Sequence, residues 1–171
     1  DLHNEPEELT GLLGYVPQDD LLIEELTVYQ NLYYNARLTF GNYDEVKLDE
    51  VVRQVLDQLD LFDIKDLLVG DPLNKKISGG QRKRLNIGLE LMREPAILFA
   101  DEPTSGLSSH DSEKVMDLLK DQAVEGRLIF VIIHQPSSEI MKMFDRLWIL
   151  DKGGYMIYDG DPVDALVYFK T

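Results

Sequence analysis

Two apolar runs, Ile97-Leu98-Phe99-Ala100 and Leu128-Ile129-Phe130-Val131-Ile132-Ile133, are unbroken by polar residues. Each has the length of a strand, and each is apolar at successive positions, as a central strand of a parallel sheet covered on both faces should be. Leu12-Leu13-Gly14-Tyr15-Val16, stopped by Pro17, is a third strand candidate. Elsewhere the period lengthens to that of a helix. Val28, Leu32 and Ala36 line one face of Thr27 to Leu38, with Thr27 as N-cap. After a turn at Gly41-Asn42-Tyr43-Asp44, a stripe of Val51, Val52, Val55, Leu56 and Leu59 predicts a core-facing helix from Asp49 to Leu61. Asp63 to Asn74 is mixed, with a turn at Gly70-Asp71-Pro72.

Ser78 predicts the N-cap of a helix ending near Arg93, with Pro95 beyond it. Asp111 to Val124 is helical, with Val115, Leu118 and Leu119 inward and Gly126 at its end. Ser137 or Ser138 caps a short helix through Met143. Leu147–Leu150 and Tyr155–Tyr158 flank Lys152-Gly153-Gly154 as a hairpin, and Asp161-Pro162 starts a last helix through Phe169. Strands alternating with helices predict an α/β fold with a mainly parallel sheet. A compact helical excursion separates the strand before Gln18 from the turn at Ser78.

Composition narrows the possible partners. The 171 residues fit one domain of ordinary size, and 44% are apolar, enough for a core. Asp and Glu number 32 against 17 Lys and Arg, a net charge of −15. A nucleic-acid surface needs a basic field, so the acidity argues against that class. A nucleotide site is not, because backbone N–H groups and a metal ion suffice there. There is no Cys, hence no disulfide framework or thiolate zinc site. His3, His110 and His134 are too scattered to suggest a metal cluster. No apolar run approaches the ~20 residues of a membrane span, so any membrane link is expected to come through a partner. The opening Asp1-Leu2-His3 has no initiator Met, and the chain reads as part of a longer protein.

Three pieces of phosphate chemistry lie in a row between Lys76 and Leu107. Ser78-Gly79-Gly80-Gln81 opens a helix, and its glycines leave orphan N–H donors uncovered by side chains. With the helix dipole they favour an anion by roughly a kcal/mol. Asp101 and Glu102 end the next strand. Two adjacent carboxylates are costly to bury alone, and Mg²⁺ on Asp101 removes that cost. Glu102 is placed to take a proton from an attacking water. Pro103-Thr104-Ser105-Gly106 then fixes the turn. Arg82-Lys83-Arg84 is either a solvated face or a surface for an acidic partner. Gln18 and His134 each follow an apparent strand, so Gln18, Asp101, Glu102 and His134 all lie just beyond strand C-termini. Ligands bind at that edge of open α/β sheets.

These residues resemble the ATP-binding cassette of membrane transporters, over nearly all of the chain. Ile77-Ser78-Gly79-Gly80-Gln81 is similar to the signature motif, usually LSGGQ. Ile97 to Glu102 resembles Walker B with its catalytic glutamate. Tyr15-Val16-Pro17-Gln18-Asp19 resembles the Q-loop, Val131-Ile132-Ile133-His134-Gln135 the H-loop, and Ser105-Gly106-Leu107 the start of the D-loop. The wording Ser78-Gly79-Gly80-Gln81-Arg82-Lys83-Arg84, with His134-Gln135-Pro136-Ser137-Ser138, is similar to the eye-pigment and sterol half-transporter (G-type) subfamily and its bacterial relatives. Two departures stand out. Ser108 replaces the Asp that usually completes the D-loop, with Asp111 three residues on. And G-x-x-x-x-G-K-[ST], the Walker A loop that cradles the phosphates, occurs nowhere in the chain.

The resemblance implies a P-loop NTPase (RecA-like) parallel-sheet core, incomplete at its N-terminus. A helical subdomain would be inserted between Q-loop and signature. The divisions would be 1–26 for the Q-loop strand region, 27–76 for the helical subdomain, and 77–171 for signature helix, Walker B, D-loop, H-loop and the remainder. ATP and Mg²⁺ would be the cofactors. Asp101 and Gln18 would belong to the Mg²⁺ shell, Glu102 would polarise water, and His134 would touch the γ-phosphate. Ser78, Gly79, Gly80 and Gln81 would meet the nucleotide held by a second cassette paired head to tail. The insert would dock a transmembrane domain, and the whole would work at the cytoplasmic face of a membrane, powering export. Two other classes are a non-transport cassette of the chromosome or DNA-repair kind and a catalytically silent cassette used as a binding module. The compact insert without sustained heptads, and the acidity, oppose the first. The presence of Glu102 and His134 opposes the second.

Overall fold

In the computed structural model, residues 11–71 and 76–169 are described. They fall into two compact units, the first ending at Ile133 and the second beginning at His134.

The first unit is built on a three-stranded parallel sheet in the order β1 (Leu13–Val16), β2 (Ile97–Asp101), β3 (Leu128–Ile132). Leu13 stands opposite Ile97, and Ile97 opposite Leu128. Parallel neighbours need long crossovers. The β2–β3 crossover is α4 (Ser109–Val124), while the β1–β2 crossover carries α1 (Val28–Thr39), α2 (Glu45–Gln58) and α3 (Gly79–Leu91). The expected α/β architecture is therefore present.

Val16, Leu98 and Ala100 are fully buried on one face of the sheet. The other face carries Leu13, Tyr15, Phe99, Leu128 and Ile132, all exposed among the described residues. Phe99 and Phe130 stack across β2 and β3 on this face, their rings 5.0 Å apart. The expectation that β2 and β3 are covered on both sides is thus met on one side only. Continuous apolarity marks a strand that is to be covered twice, and here only the helix-bearing face has its cover.

The helices follow their sequence signals closely. Thr27 and Gln30 form a capping box at α1, and Val28, Leu32 and Ala36 are wholly buried. Each large apolar side chain in such a stripe contributes about 1.5–3 kcal/mol. α2 begins four residues before its expected start, because Asp44, read as a turn residue, caps it by accepting the Lys47 N–H. The polar first turn hid that start. α2 also stops at Gln58, followed by Asp60 with a positive φ of 53°. Among the described residues of the mixed stretch, a 3-10 turn at Phe62–Ile64 and an isolated antiparallel bridge between Leu68 and Thr27 are regular. The end of that stretch, residues 72–75, lies outside the described residues.

The second unit has α5 (Ser138–Met141), capped by Ser137, then the antiparallel hairpin of β4 (Leu147–Leu150) and β5 (Met156–Gly160), and α6 (Pro162–Tyr168). Asp161 caps α6 with Pro162 in its first turn. Arg146 grips Asp159 through two hydrogen bonds of 2.6 and 2.8 Å across the hairpin.

α3 runs through the first unit with almost every side chain buried. Its approach to the helical insert depends on Gly88: a methyl there would come within 2.3 Å of Leu59 Cδ1. Leu59 is itself buried and has little room to yield. Gly88→Ala is therefore expected to cost about 1–3 kcal/mol by overpacking. A urea midpoint equal to that of the unchanged protein would contradict the packing described.

Candidate functional site

The three parallel strands place their carboxyl ends at one edge of the sheet, and Gln18, Asp101 and Glu102 lie there. Asp101 is the last residue of β2 and Glu102 the next; Gln18 lies two residues beyond β1. The Gln18 amide Nε2 donates to Glu102 Oε2 at 3.0 Å. On the adjoining strand the Tyr15 hydroxyl donates to Asp101 Oδ2 at 3.1 Å. This hydrogen bond, with lesser help from burial and charge, holds the Tyr15 hydroxyl above its ordinary pKa.

Glu102 has a backbone φ of +43°, a region that costs a non-glycine residue about 1 kcal/mol or more. Its neighbours hold it there. Its N–H donates to Ile132 O at 2.9 Å, and its C=O accepts from Ser105 N–H at 3.1 Å. The strained turn aims the carboxylate away from the strand direction, towards Gln18. His134 follows β3 by two residues and opens the second unit; it is exposed.

The turn at Ser78 is a full capping box. Ser78 Oγ accepts the Gln81 N–H at 3.2 Å and Gln81 Oε1 accepts the Ser78 N–H at 2.7 Å. Gln81 is thus a capping residue. By helix geometry the remaining first-turn donors are those of Gly79 and Gly80. Gly80 has a second reason to be glycine, since a Cβ there would meet the Asp111 carboxylate at 2.5 Å. Asp111 is in turn held by Ser108, whose Oγ accepts the Asp111 N–H at 3.1 Å and donates to Asp111 Oδ2 at 2.9 Å. Ser108 is thus the N-cap of α4, a task that Asp would also perform.

The basic run Arg82-Lys83-Arg84 is neither a solvated face nor an exposed surface for a partner. The three residues are only 5%, 7% and 7% exposed. Each cation has an acceptor within reach, partly exposed in Asp20 and exposed in Asp60. Arg82 forms a fork on Asp20, with Nε and Nη2 at 2.8 and 3.0 Å from its two oxygens. It also donates to the carbonyls of Val69 and Gly70. Lys83 Nζ donates to Gln18 O at 2.7 Å and Pro17 O at 3.4 Å. Arg84 reaches Asp60 at 3.3 Å. One turn further along, Asn86 Oδ1 accepts the Leu21 N–H at 3.2 Å. Burial pushes the Lys83 pKa down, opposed by the charges of Asp20, Asp19, Asp101 and Glu102. The sequence alone did not mark Asn86 or the Tyr15 hydroxyl, and it offered no buried role for Arg82-Lys83-Arg84. The available signal was the spacing of Arg82, Lys83 and Asn86, which share one face of a helix, beside an acidic pair, Asp19-Asp20, in the same domain.

The family model described as "ABC transporter" matches residues 1–105, more than half of the chain. The chain belongs to the ABC transporter family. It is similar to "ABC transporter G family member 28" of Arabidopsis thaliana, 42% identical over 94% of this chain and 14% of that relative. It is 41% identical to mouse "Broad substrate specificity ATP-binding cassette transporter ABCG2", over 92% of the chain and 24% of the relative. It is 44% identical to "ABC multidrug transporter SNQ2" of Candida glabrata, over 92% of the chain and 11% of the relative. The chain therefore spans about a quarter or less of the length of these relatives.

Removing Asp20 would leave the Arg82 guanidinium buried with carbonyl partners alone. Asp20→Ala is expected to lower folding stability by about 3 kcal/mol, the low end for breaking a buried pair because the Asp20 side chain is partly exposed. Equilibrium denaturation checks it; a loss below ~1 kcal/mol, the scale of a surface pair, would contradict the burial described.

Proposed function

We propose that this chain is the part of an ATP-hydrolysing cassette that runs from the Q-loop through the H-loop, in a protein that powers export across a membrane. The observation that carries the reading is the hydrogen-bonded group of Gln18, Glu102, Asp101 and Tyr15 at the carboxyl edge of a parallel sheet. The donor set fits the implied cofactors. Mg²⁺ takes oxygen ligands and is usually bound by one or two carboxylates together with substrate phosphates. Asp101 and the Gln18 amide supply such oxygens. Among the described residues no cluster of three or more His, Cys, Asp or Glu could hold a metal by itself. That fits a cation completed by a nucleotide.

In this reading Asp101 and Gln18 would hold Mg²⁺ together with ATP. The bound cation would neutralise charge on the transferred phosphoryl group. Tyr15 orients the Asp101 carboxylate. Glu102 accepts a proton from water aligned for in-line attack, and its pinned backbone keeps the carboxylate aimed. His134 hydrogen-bonds the terminal phosphate; its support is the motif Val131–Gln135. Gly79 and Gly80 offer N–H donors to the nucleotide of a second cassette paired head to tail, with Ser78 and Gln81 shaping that turn.

The helical insert, residues 27–76, receives a transmembrane domain, so the protein works at the cytoplasmic face of a membrane. Among the described residues no helix is long and apolar enough to cross one. The export direction draws its support from the likeness of Ser78–Arg84 and His134–Ser138 to the half-transporter subfamily.

Two outcomes are expected. In the intact protein Glu102→Gln retains ATP binding and slows turnover by ~10²-fold or more, the scale of a lost general base. Unchanged steady-state phosphate release would remove Glu102 from that role. The 171 residues alone, having no G-x-x-x-x-G-K-[ST], bind Mg-ATP weakly and hydrolyse none. Micromolar affinity by isothermal titration calorimetry would overturn this.

A further inference from the structure

Gln18 has no rigid element of its own. It lies beyond the end of β1, its side chain is exposed, and the chain from residue 17 to residue 23 has no helix or strand. A loop of this kind would hold its amide loosely, and misplacement by ~1 Å at a reacting centre costs about 10²-fold in rate. Something must fix it, and α3 carries the groups that do.

We infer that Lys83 is a positioning residue: by holding the carbonyls of Gln18 and Pro17, it locks the Gln18 amide onto Glu102 and ties that contact to the helix opened by Ser78-Gly79-Gly80. The contacts form one continuous path. Lys83 Nζ donates to Gln18 O at 2.7 Å, and Gln18 Nε2 donates to Glu102 Oε2 at 3.0 Å. On either side the same helix fixes the loop again, through the Arg82 fork on Asp20 and the Asn86 oxygen on the Leu21 N–H. Arg82 also draws in Val69 O, and Val69 N–H donates to Leu26 O at 3.0 Å. The stretch after Gln18 and the far end of the helical insert are thus bolted to one face of α3.

The geometry distinguishes the three side chains. Arg82 bonds the Asp20 side chain and a distant backbone segment, and Asn86 bonds the backbone of Leu21. Lys83 alone of the three touches Gln18 itself. An ammonium suits the task, because its three donors can serve two adjacent carbonyls at once. A residue that moves with α3 would then move the Gln18 carbonyl with it. Occupation of the α3 N-terminus by the partner's nucleotide would be transmitted to the water-aligning pair without passing through the sheet.

The inference rests on the reading of Gln18 and Glu102 as parts of a hydrolytic site, and its test has one arm that does not depend on that reading. In the intact protein, Lys83→Met removes the charge and keeps the stem. Hydrogen exchange followed by mass spectrometry should show faster exchange, by ~10-fold or more, in peptides covering residues 17–23 and little change in α2. Equal exchange in both proteins overturns the inference whatever the ATPase does. In the same protein, Lys83→Met should lower kcat about tenfold with KM for ATP within about twofold, and Lys83→Arg should restore most of it. Combined with Gln18→Ala, Lys83→Met should cost little more than Gln18→Ala alone, since both act on one contact. Full additivity would mean that Lys83 acts elsewhere and overturns the inference. An intact protein with no ATPase at all sinks the hydrolytic reading, and the exchange arm still decides whether Lys83 holds the loop.

Discussion

Burial of charge on α3 is the constraint on which the first unit depends. Arg82, Lys83 and Arg84 lie almost entirely inside the structure. A cation taken from water costs several kcal/mol unless its donors find good acceptors. Asp20 and the carbonyls of Pro17, Gln18, Val69 and Gly70 are those acceptors for Arg82 and Lys83, while the exposed Asp60 carboxylate meets Arg84. The cost is offset only if the loop after β1, the tail of the helical insert and α3 meet in one arrangement. Hydrophobic contacts alone would permit several, because Leu and Val surfaces slide; a forked guanidinium on a carboxylate does not. The polar contacts therefore select the geometry, and the apolar stripes of α1 and α2 supply most of the stability.

That arrangement brings chemistry to a sheet edge. Asp101 and Glu102 arrive on β2, Tyr15 on β1, and Gln18 on a loop that α3 holds from behind. The left-handed backbone of Glu102 turns its side chain out of the strand, and the Ile132 carbonyl secures that turn. A strained residue persists only where its surroundings over-determine it, and such residues gather at working sites. The Ser78 turn, at the other end of α3's first stretch, presents backbone donors while its capping box absorbs the rest. One helix thus bears an end with free backbone donors and a grip on the loop beside the carboxylates.

Much of this could be read from the residues alone. Strand positions followed from uninterrupted apolar runs, and α1 and α3 from their caps and periods. The sequence marked Gln18, Asp101 and Glu102 as candidates because each lies at or just past the end of an apolar run, and the fold places them at the carboxyl ends of β1 and β2. The start of α2 was hidden because Asp44, after Gly41-Asn42, reads equally as turn or cap, and Glu45 to Lys47 carry only one apolar side chain. The basic run was misread for a deeper reason. Burial of a cation is decided by acceptors far away in sequence, such as Asp20 some sixty residues earlier, and no local pattern reports them. Tyr15 was hidden likewise: its hydroxyl partner is on the neighbouring strand, and pairing register is a tertiary fact. The open face of the sheet shows the converse, since apolar strands declare that a cover is needed without saying where in the chain it lies.

The proposed place of Gln18 is beside the metal–nucleotide, with Asp101 and Glu102. Its most direct test is paramagnetic: the intact protein, labelled in its glutamine side-chain amides, is titrated with Mn²⁺ and a non-hydrolysable ATP analogue while the Gln18 resonance is followed. Broadening of Gln18 beyond detection at stoichiometric Mn²⁺, with distant amides such as that of Gln122 still sharp, is the predicted result. A Gln18 resonance that stays sharp while other sites broaden would contradict the account.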